Sequence, residues 1–485
     1  MRILYIDIDS LRPDHLGCYG YHRNTSPNID RLATRGARCT NYYCTDAPCL
    51  PSRTSLFTSR FGIHTGVVNH GGLEADIRSQ GTERQFANRG PYRSWMSAMK
   101  QAGYYTVMVS PFPNRHAAWH VIDGFREAYD TGKGGMEIAE EATPTLLRWI
   151  RDRGKEDNWF VHFNLWDPHT PYRTPMKYGN PFEDNAAPDW LTEEIIQQHR
   201  ASFAPHGARE LHGWSAGDGR WPRTPNEITS RQDFKKWIDG YDVAIRYADD
   251  HVGHILNALA DADILDETLV IISADHGENQ GELNVYGDHQ TADYITSRVP
   301  LIVVGPGIQQ GHVDEGLHYN IDLAPTITEL VGGQPAPRWD GQSFLPVLTQ
   351  GKNVSRTYLV VSQNAWACQR SVRFDQWMLI RTYHDGLKDL PDLMLFDVED
   401  DPHETNNLVS EKSDVVADGL RLLDTWTSEM LSNVPNTSDP MWHVIEEGGP
   451  FHTRNQLEKY LQILRESGRS EAAKRLESRH SKFNS

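Results

Sequence analysis

The stretch ILYIDID, residues 3 to 9, is a short apolar run that finishes in two aspartates. A strand buried on both faces of a parallel sheet has such a continuous apolar composition, because helices cover it on either side. Four later runs share this character, namely YYTVMVS (104–110), WFVHFNLW (159–166), TLVIISAD (268–275) and VPLIVVG (299–305). Helical stretches lie between the runs, so the sequence predicts an α/β fold with helices on both faces of the sheet.

The helical stretches carry recognisable start signals. SPNIDRLATRGA begins with Ser26, a favoured N-cap residue type, and has Pro27 at the first helical position. Residues 230–259 repeat apolar side chains at helical spacing. Residues 175–230 are rich in Pro, Gly, Trp and charge and interrupt this alternation, so we expect them to run over the surface near the substrate.

The last quarter of the chain has a different pattern of apolar and polar residues. From about residue 355, short runs alternate apolar and polar residues, which is typical of a small antiparallel sheet, and later residues read as polar helices. We therefore divide the chain into an N-terminal catalytic domain, a C-terminal antiparallel-sheet subdomain and a helical tail. The proposed ranges are residues 1–350, 351–410 and 411–485.

The amino-acid composition indicates which binding partners and which cellular compartment to expect for the protein. The 485 residues are 38% hydrophobic, which fits a globular protein, and the formal charge of −18 argues against nucleic acid or an anionic membrane as a partner. The start of the chain shows no cationic segment or cleavage site, and no transmembrane run follows. Five cysteines are few and odd in number, which suits a reducing compartment. The sequence thus predicts a cytoplasmic protein.

Polar side chains follow three of the predicted strands at the point where each strand ends. Asp7 and Asp9 finish the first run, His169 follows the third, and Asp275 and His276 finish the fourth. Ligands of open α/β sheets gather at the carboxyl ends of the strands. One such aspartate is more often a cap than a ligand, but three such ends together favour a site. Oxygen donors suit Ca²⁺ or Mg²⁺, and the imidazole admits Mn²⁺ or Zn²⁺.

Residues 49–53, CLPSR, resemble the C-x-P-S-R signature of the type I sulfatases in the alkaline phosphatase superfamily, where the cysteine is oxidised to formylglycine. A lone match would be weak, but six further segments resemble the family in the family's order and together span residues 1 to about 410. They are DSLRPDHLGCYG (9–20), PSRTSLFTSR (51–60), DPHTPY (167–172), SADHGENQGE (273–282), RVPLIVVGPG (298–307) and LFDVEDDPHETNNL (395–408).

The resemblance implies an alkaline phosphatase-like fold, with a large mixed, mostly parallel sheet sandwiched by helices and a smaller C-terminal antiparallel sheet. It also implies Asp9, Asp275 and His276 as metal ligands, together with the formylglycine made from Cys49. The expected cation is Ca²⁺, with Mg²⁺ or Mn²⁺ as alternatives. The maturation partner that the resemblance implies is a formylglycine-generating enzyme.

Four other residues receive roles from the resemblance. Arg53, one helical turn after the cysteine, is expected to hold the nucleophile or an oxyanion. His169 matches the histidine near the leaving oxygen and is our candidate general acid. Asn69 falls about where related hydrolases place an asparagine against the substrate, and His70 beside it is expected to face the same pocket.

The sequence departs from the family pattern at several places, and within the signature segment Leu50 and Ser59 replace a smaller residue and a glycine. Ser10 stands where the family has a second aspartate, so the site loses a negative charge unless Asp7 or a water replaces it. The lysine expected after the second strand is missing, and Arg115 and His116 are the nearest positive substitutes. The lysine of the fourth-strand loop is also missing, and His289 is offered in its place. We therefore assign His116 and His289 to catalysis and Arg115 to substrate binding.

These residues predict a metal-dependent sulfuric ester hydrolase that releases sulfate from a sulfated carbohydrate or an aryl sulfate. A hydrated formylglycine suits this chemistry, because one hydroxyl attacks sulfur and the other lets the aldehyde re-form. Two alternatives stay open: a phosphonate monoester or phosphodiester hydrolase of the same superfamily, and a non-catalytic sulfated-sugar-binding protein. The expected substrate is small, and assembly into a homo-oligomer stays open.

Overall fold

The five apolar runs of the sequence are all strands of one sheet in the computed structural model, which describes residues 1–77, 90–432 and 438–480. The strands are β1 (Arg2–Ile8), β2 (Ala37–Tyr43), β3 (Asp46–Ala47), β4 (Tyr105–Val109), β5 (Glu127–Tyr129), β6 (Trp159–Leu165), β7 (Thr268–Ser273), β8 (Arg298–Val304), β9 (His312–Tyr319), β10 (Tyr358–Gln363), β11 (Cys368–Phe374), β12 (Trp377–His384) and β13 (Leu393–Asp397).

The α-helices of the described residues alternate with these strands and then dominate the tail. They are α1 (Pro27–Ala33), α2 (Cys49–Thr58), α3 (Gly62–Thr65), α4 (Trp95–Gln101), α5 (Phe112–Arg115), α6 (Ala139–Arg153), α7 (Glu193–Ala201), α8 (Arg231–Asp261), α9 (Tyr294–Ser297), α10 (Leu323–Leu330), α11 (Leu345–Gln350), α12 (Ser413–Ser432), α13 (Pro440–Glu446), α14 (Leu457–Glu466) and α15 (Ser470–His480).

The large sheet has eight strands in the order β5-β4-β6-β1-β7-β8-β2-β9. The strands from β5 to β7 run parallel, β8 is antiparallel to both its neighbours, and β9 pairs parallel with β2. This mixed, mostly parallel sheet confirms the predicted fold class. The neighbours β6, β1 and β7 end at the same edge, where Asp7 lies opposite Asn164 on one side and Ser273 on the other.

Three strands of the large sheet, β2, β5 and β9, were not among the predicted runs. β2 and β9 alternate buried with partly exposed residues, and β5 is partly exposed throughout. A period-two pattern of this kind is short and weak in sequence, so a search for continuous apolar runs passes over it. The helix predicted at residue 27 is present, but Ser26 does not cap it: its hydroxyl donates to the Asp30 carboxylate at 2.9 Å.

A second sheet has the order β13-β12-β11-β10-β3. Its four C-terminal strands are antiparallel, as predicted, while β3 from the N-terminal part of the chain pairs parallel with residues 362 and 363 of β10. Helix α12 packs on this sheet, where Gly419 allows close approach to the Leu379 side chain. Because β3 ends two residues before Cys49, the second sheet anchors the segment that leads into α2.

The tail folds back over the molecule. Helices α14 and α15 bury Tyr460, Leu461 and Leu476 in a cluster that includes Phe203. Phe203 belongs to the surface insert, the segment of residues 175–230 that interrupts the strand and helix alternation. Ahead of α13, Asp439 forms a buried ion pair with Arg370 of β11 at 2.6 Å. The loop between α13 and α14 thereby reaches the carboxyl edge of the large sheet. The three-part domain division stays a prediction.

No helix among the described residues has both the length and the apolarity that crossing a membrane would need. All five cysteines are unpaired, in agreement with the expectation that they form no disulfide framework. The predicted compartment itself stays a prediction.

Candidate active site

Cys49 is the first residue of α2 and is 2% exposed. Its Sγ atom lies 3.5 Å from His70 Nε2 and 3.4 Å from His116 Nε2. Burial, together with the charges of Asp9 and Asp275, raises the pKa of the thiol well above its ordinary value. Reactive cysteines in enzymes have lowered pKa values, so the unmodified thiol has the wrong electrostatic surroundings for a nucleophile.

The four predicted metal ligands converge on one point. Donor atoms of Cys49, Asp275 and His276 lie within 4.8 Å of one another, and Asp9 is joined to Asp275 through contacts described below. The atoms Asp9 Oδ2, Asp275 Oδ2 and His276 Nε2 are buried and make no hydrogen bond of good geometry, but they are in close contact: both carboxylate oxygens lie within 3.0 Å of Arg53 nitrogens, and His276 Nε2 lies 3.2 Å from Asp275 Oδ2. His276 Nδ1 donates to the Gly277 carbonyl at 2.8 Å, which leaves the Nε2 lone pair free. These carboxylate and imidazole donors fit a divalent cation.

Arg53 occupies the centre of the acidic cluster. Its Nε donates to Asp7 at 2.9 Å, while Nη2 lies 3.0 Å from Asp9 and Nη1 lies 2.8 Å from Asp275. The guanidinium keeps the pKa of Asp9 well below its ordinary value despite burial, whereas burial and the Asp9 charge raise the pKa of Asp275 to about 7. Arg53 thus neutralises the carboxylates beside the nucleophile, a contact set that the motif spacing did not predict.

Ser10 connects two of the candidate ligands. Its hydroxyl donates to Asp9 Oδ1 at 2.9 Å and its backbone N–H donates to Asp275 Oδ1 at 3.2 Å. The residue has a left-handed φ of 60°, and its carbonyl accepts from the Tyr241 hydroxyl at 2.7 Å. Asp7, considered as a substitute ligand, has Oδ2 held by Arg53. Where a second aspartate was expected, this chain therefore has a residue that orients the other carboxylates.

His289 packs between two other histidines of the site, His276 and His169. The His289 ring lies 3.9 Å from the His276 ring and 5.4 Å from the His169 ring, measured between centroids. His169 Nδ1 donates to the Thr170 carbonyl, and its ring stacks on Trp166. Burial lowers the pKa of His169 to about 4 and that of His116 to about 3. These imidazoles are neutral at pH 7, so they do not reproduce the charge of the absent lysines.

Asn69 and His70 are held by the tail. Asn69 Oδ1 accepts from the backbone N–H groups of His70 at 2.9 Å and Phe451 at 3.3 Å, while its buried Nδ2 makes no hydrogen bond. His70 Nδ1 and His452 Nε2 share a hydrogen bond of 2.8 Å. The His452 ring stacks on Trp366 at 4.4 Å between centroids. The predicted pair at 69 and 70 is thus fixed from the C-terminal end of the chain.

A further polar group beside His289 was missed from the sequence. Asp288 Oδ2 lies 3.2 Å from His206 Nε2, a residue of the surface insert, and Asp288 Oδ1 lies 3.3 Å from His289 Nε2. Lys388 is fully buried with its Nζ 5.6 Å from the Trp366 ring, and burial lowers its pKa to about 7. No motif marks these residues, because they enter the site from loops far apart in the chain. The contact of His206 brings residues 175–230 to Asp288, beside His289, while their position relative to the substrate stays a prediction.

Arg115, at the end of α5, lies at the exposed rim. Its Cζ is 4.9 Å from the Trp166 ring centroid, and its Nη1 donates to the Gly134 carbonyl at 3.1 Å. The structure therefore brings every predicted site residue to one edge of the sheet. Their individual roles stay predictions.

Comparison with known proteins bears on the chemistry of this cluster. A family model described as sulfatase matches residues 2–333, and one described as N-sulphoglucosamine sulphohydrolase, C-terminal, matches residues 283–421. An N-acetylglucosamine-6-O-sulfatase of Bacteroides thetaiotaomicron is 20% identical over 509 residues, which cover 90% of this chain and 88% of that protein. The choline-sulfatase of Rhizobium meliloti is 24% identical over 441 residues, with 79% and 77% covered.

Solved structures share the fold. One, in complex with its substrate D-glucosamine-2-N,6-O-disulfate, has a TM-score of 0.69 at 19% identity and covers 90% of this chain and 99% of its own. The phosphonate monoester hydrolase of Silicibacter pomeroyi has a TM-score of 0.67 at 21% identity, with 90% and 96% covered. At these identities the similarity concerns the fold alone.

Proposed function

This chain belongs to the sulfatase family of the alkaline phosphatase superfamily, and we propose that it releases inorganic sulfate from a sulfated carbohydrate through a formylglycine made from Cys49. The observation that carries the proposal is the position of residue 49: the first residue of a helix, with its sulfur and potential ligand atoms of Asp275 and His276 within 4.8 Å of one another, and with Arg53 bound to the carboxylates beside it. Membership in this family makes the chain an enzyme of sulfate ester hydrolysis. The carbohydrate and the modified cysteine are the proposed parts.

Oxidation of Cys49 requires access that the folded protein does not give. The side chain is 2% exposed and lies beneath His70 and His116. We therefore propose that a formylglycine-generating enzyme acts on CLPSR before α2 packs into the site. Afterwards the same enclosure shields the aldehyde.

The donors Asp9, Asp275, His276 and the modified residue 49 would hold one divalent cation, for which we propose Ca²⁺, with Mg²⁺ or Mn²⁺ as alternatives. Such a cation supplies positive charge that favours ionisation of a nearby hydroxyl and neutralises sulfate oxygens. Ser10 holds two of the carboxylates in orientation for it.

The side chains around residue 49 suit the proton transfers of the proposed reaction. His70 and His116 both face residue 49 with Nε2, so one is placed to accept the proton of each hydroxyl of the hydrated aldehyde. The first hydroxyl loses its proton as its oxygen attacks sulfur, and the bond from sulfur to the alcohol oxygen breaks. The departing oxygen takes a proton from Nε2 of His169; because Nδ1 of the neutral ring donates to the Thr170 carbonyl, the donating form is the fraction of His169 that has bound a second proton. The second hydroxyl then loses its proton to the other of the two histidines. That loss breaks the bond between the carbon of residue 49 and sulfate, the aldehyde re-forms, and water hydrates it again.

Two measurements test this proposal. Intact mass and reaction with a hydrazide probe report whether residue 49 carries an aldehyde in protein from its native host. Sulfate release from a panel of sulfated mono- and disaccharides then reports the substrate, with Cys49→Ala as the blank. We expect an aldehyde and release from at least one saccharide. An unmodified cysteine in active protein would contradict the mechanism, and release from aryl sulfates alone would contradict the carbohydrate.

A phosphonate monoester or phosphodiester hydrolase is the second candidate. The observation in its favour is the structural similarity to phosphonate monoester hydrolases, at a TM-score of 0.67 for one of them. Rates on matched phenyl sulfate, phenyl phosphonate esters and phosphate diesters rank the two hydrolases. A non-catalytic sugar-binding protein would instead bind sulfated saccharides and leave all three ester classes intact.

A further inference from the structure

Two arginines at the rim of the site have no acidic partner among the described residues. Arg173 follows the DPHTPY segment, and its enclosed Nε and Nη2 atoms make no hydrogen bond. Its Nη1 contacts only the sulfur of Met136, at 3.8 Å. Arg115 donates to the Gly134 carbonyl and otherwise lies on the face of Trp166. What sets Arg173 apart from an ordinary surface cation is this enclosure of its Nε and Nη2 atoms without a hydrogen bond.

The nearest acids are already engaged elsewhere. The Glu137 carboxylate accepts from the Thr131 hydroxyl and from the N–H groups of residues 133 and 135, each at 2.7 Å. Asp167 Oδ2 accepts from the Ala139 N–H at 2.8 Å. Both charges are close enough to favour ionised Arg173, but neither carboxylate lies within ion-pair distance of it. A desolvated guanidinium is costly unless a bound anion completes its hydrogen bonds.

Both arginines contact the segment of residues 134–136: Arg115 Nη1 donates to the Gly134 carbonyl, and Arg173 Nη1 lies 3.8 Å from the sulfur of Met136. Trp166, on which Arg115 lies, stacks on the ring of His169 with centroids 5.6 Å apart. The positive charges of Arg115 and Arg173 both lower the pKa of His169, and that of Arg115 also lowers the pKa of Arg173. The geometry agrees with these charge effects, because the two guanidinium groups contact residues only two positions apart, Gly134 and Met136, beside the Trp166 ring that stacks on His169.

We propose that Arg115 and Arg173 form an anion subsite beside His169, which binds a second anionic group on the alcohol portion of the substrate. The shared chemistry is a planar or tetrahedral oxyanion that accepts paired N–H donors, either a carboxylate or a second sulfate. The subsite rests on the proposed function, and it narrows the substrate class to acidic or multiply sulfated compounds. It is separate from the donors around residue 49, which act on the scissile sulfate.

The test compares three types of aryl sulfate on the mature enzyme. Phenyl sulfate carries no second charged group. The compounds 3- and 4-(sulfooxy)benzoate add a carboxylate at two different distances from the sulfate ester, and 1,3- and 1,4-phenylene disulfate add a second sulfate. The readout is the ratio of kcat/KM for each anionic compound to kcat/KM for phenyl sulfate. We expect Arg173→Gln and Arg115→Gln to lower this ratio about 10- to 100-fold, the range for losing a hydrogen bond to a charged group. The class of compound whose ratio falls further, the benzoates or the disulfates, shows whether the subsite binds a carboxylate or a sulfate.

Controls separate charge from folding. Arg173→Lys keeps the charge but loses the paired N–H donors, so it should retain only part of the preference, whereas Arg421→Gln, on the exposed face of α12, should leave every ratio unchanged. Raising the salt concentration should reduce the wild-type preference, because exposed charges are screened. Equal losses on all compounds in Arg173→Gln, or a wild type without any preference for the anionic compounds, would overturn the subsite.

A binding measurement tests the anion subsite independently of the hydrolytic activity. Calorimetry on Cys49→Ala protein gives the affinity for 4-(sulfooxy)benzoate and for phenyl sulfate, with and without Arg173→Gln. If the wild type hydrolyses no sulfate, the proposed function fails, and a selective loss of affinity for the benzoate would still support the subsite. If hydrolysis proceeds but Arg173→Gln changes neither ratio nor affinity selectively, the subsite fails alone.

Discussion

Replacing Arg53 by methionine removes the guanidinium that contacts three buried carboxylates and leaves an uncharged, unbranched side chain in its place. Three carboxylates lie 2.8, 2.9 and 3.0 Å from its nitrogen atoms. With an effective dielectric constant near 20, each contact is worth roughly 5 to 6 kcal/mol before desolvation is counted. Desolvation cancels most of that sum, so we expect a loss of about 3 to 5 kcal/mol in the free energy of unfolding, as for other broken buried ion pairs.

The same substitution should also reverse the direction in which stability changes with pH. In the wild type Arg53 holds the pKa of Asp9 below its ordinary value, and the stability gained from that carboxylate is lost as pH falls. Without the guanidinium, burial raises the pKa values of the cluster above those of the unfolded chain. The folded variant then binds more protons than the unfolded one, so its stability should rise between pH 7 and pH 5.

Urea unfolding followed by circular dichroism at pH 7 and pH 5, with chelator or with added Ca²⁺, measures both effects. Arg421→Met on the exposed face of α12 is the matched control and should change the unfolding free energy by less than about 0.5 kcal/mol. Added Ca²⁺ should restore part of the stability of Arg53→Met, because it supplies positive charge to the same carboxylates. A loss below about 1 kcal/mol with an unchanged pH slope would refute the assigned electrostatic role of Arg53.

Ser10→Ala removes the hydrogen bond to Asp9 and should weaken Ca²⁺ binding about 10- to 100-fold in a chelator competition, while Ser10→Thr should retain part of it. His452→Ala should lower kcat about 10-fold with a smaller change in KM, because the His70 ring loses its 2.8 Å partner; an unaltered kcat would show that the tail is only structural. Burial lowers the pKa of His116 to about 3 and of His169 to about 4, so stability should fall as pH drops from 6.5 toward 4, and His116→Gln should reduce that slope in urea titrations.

The strands of the five apolar runs and the positions of the proposed metal ligands could be predicted from short stretches of sequence. The five apolar runs became β1, β4, β6, β7 and β8 because a doubly covered strand needs apolar side chains on both faces. Polar residues that directly follow such a strand reach the carboxyl edge of the sheet, which is why Asp9, Asp275 and His276 converge. Strands with one partly exposed face, and the parallel pairing of β3 with β10, had no comparable signal.

What the sequence by itself determined was therefore the α/β class, the family and the edge of the sheet that carries the chemistry, since these depend on residues close to one another in the chain. Only the tertiary structure decided how that chemistry is supported. Arg53 contacts carboxylates from two strands, His452 reaches His70 across more than 380 positions, and Arg173 has no carboxylate within ion-pair distance in the described part of the chain. Such contacts depend on how loops and the tail pack, and no local pattern encodes a distance between segments that meet only in the folded chain.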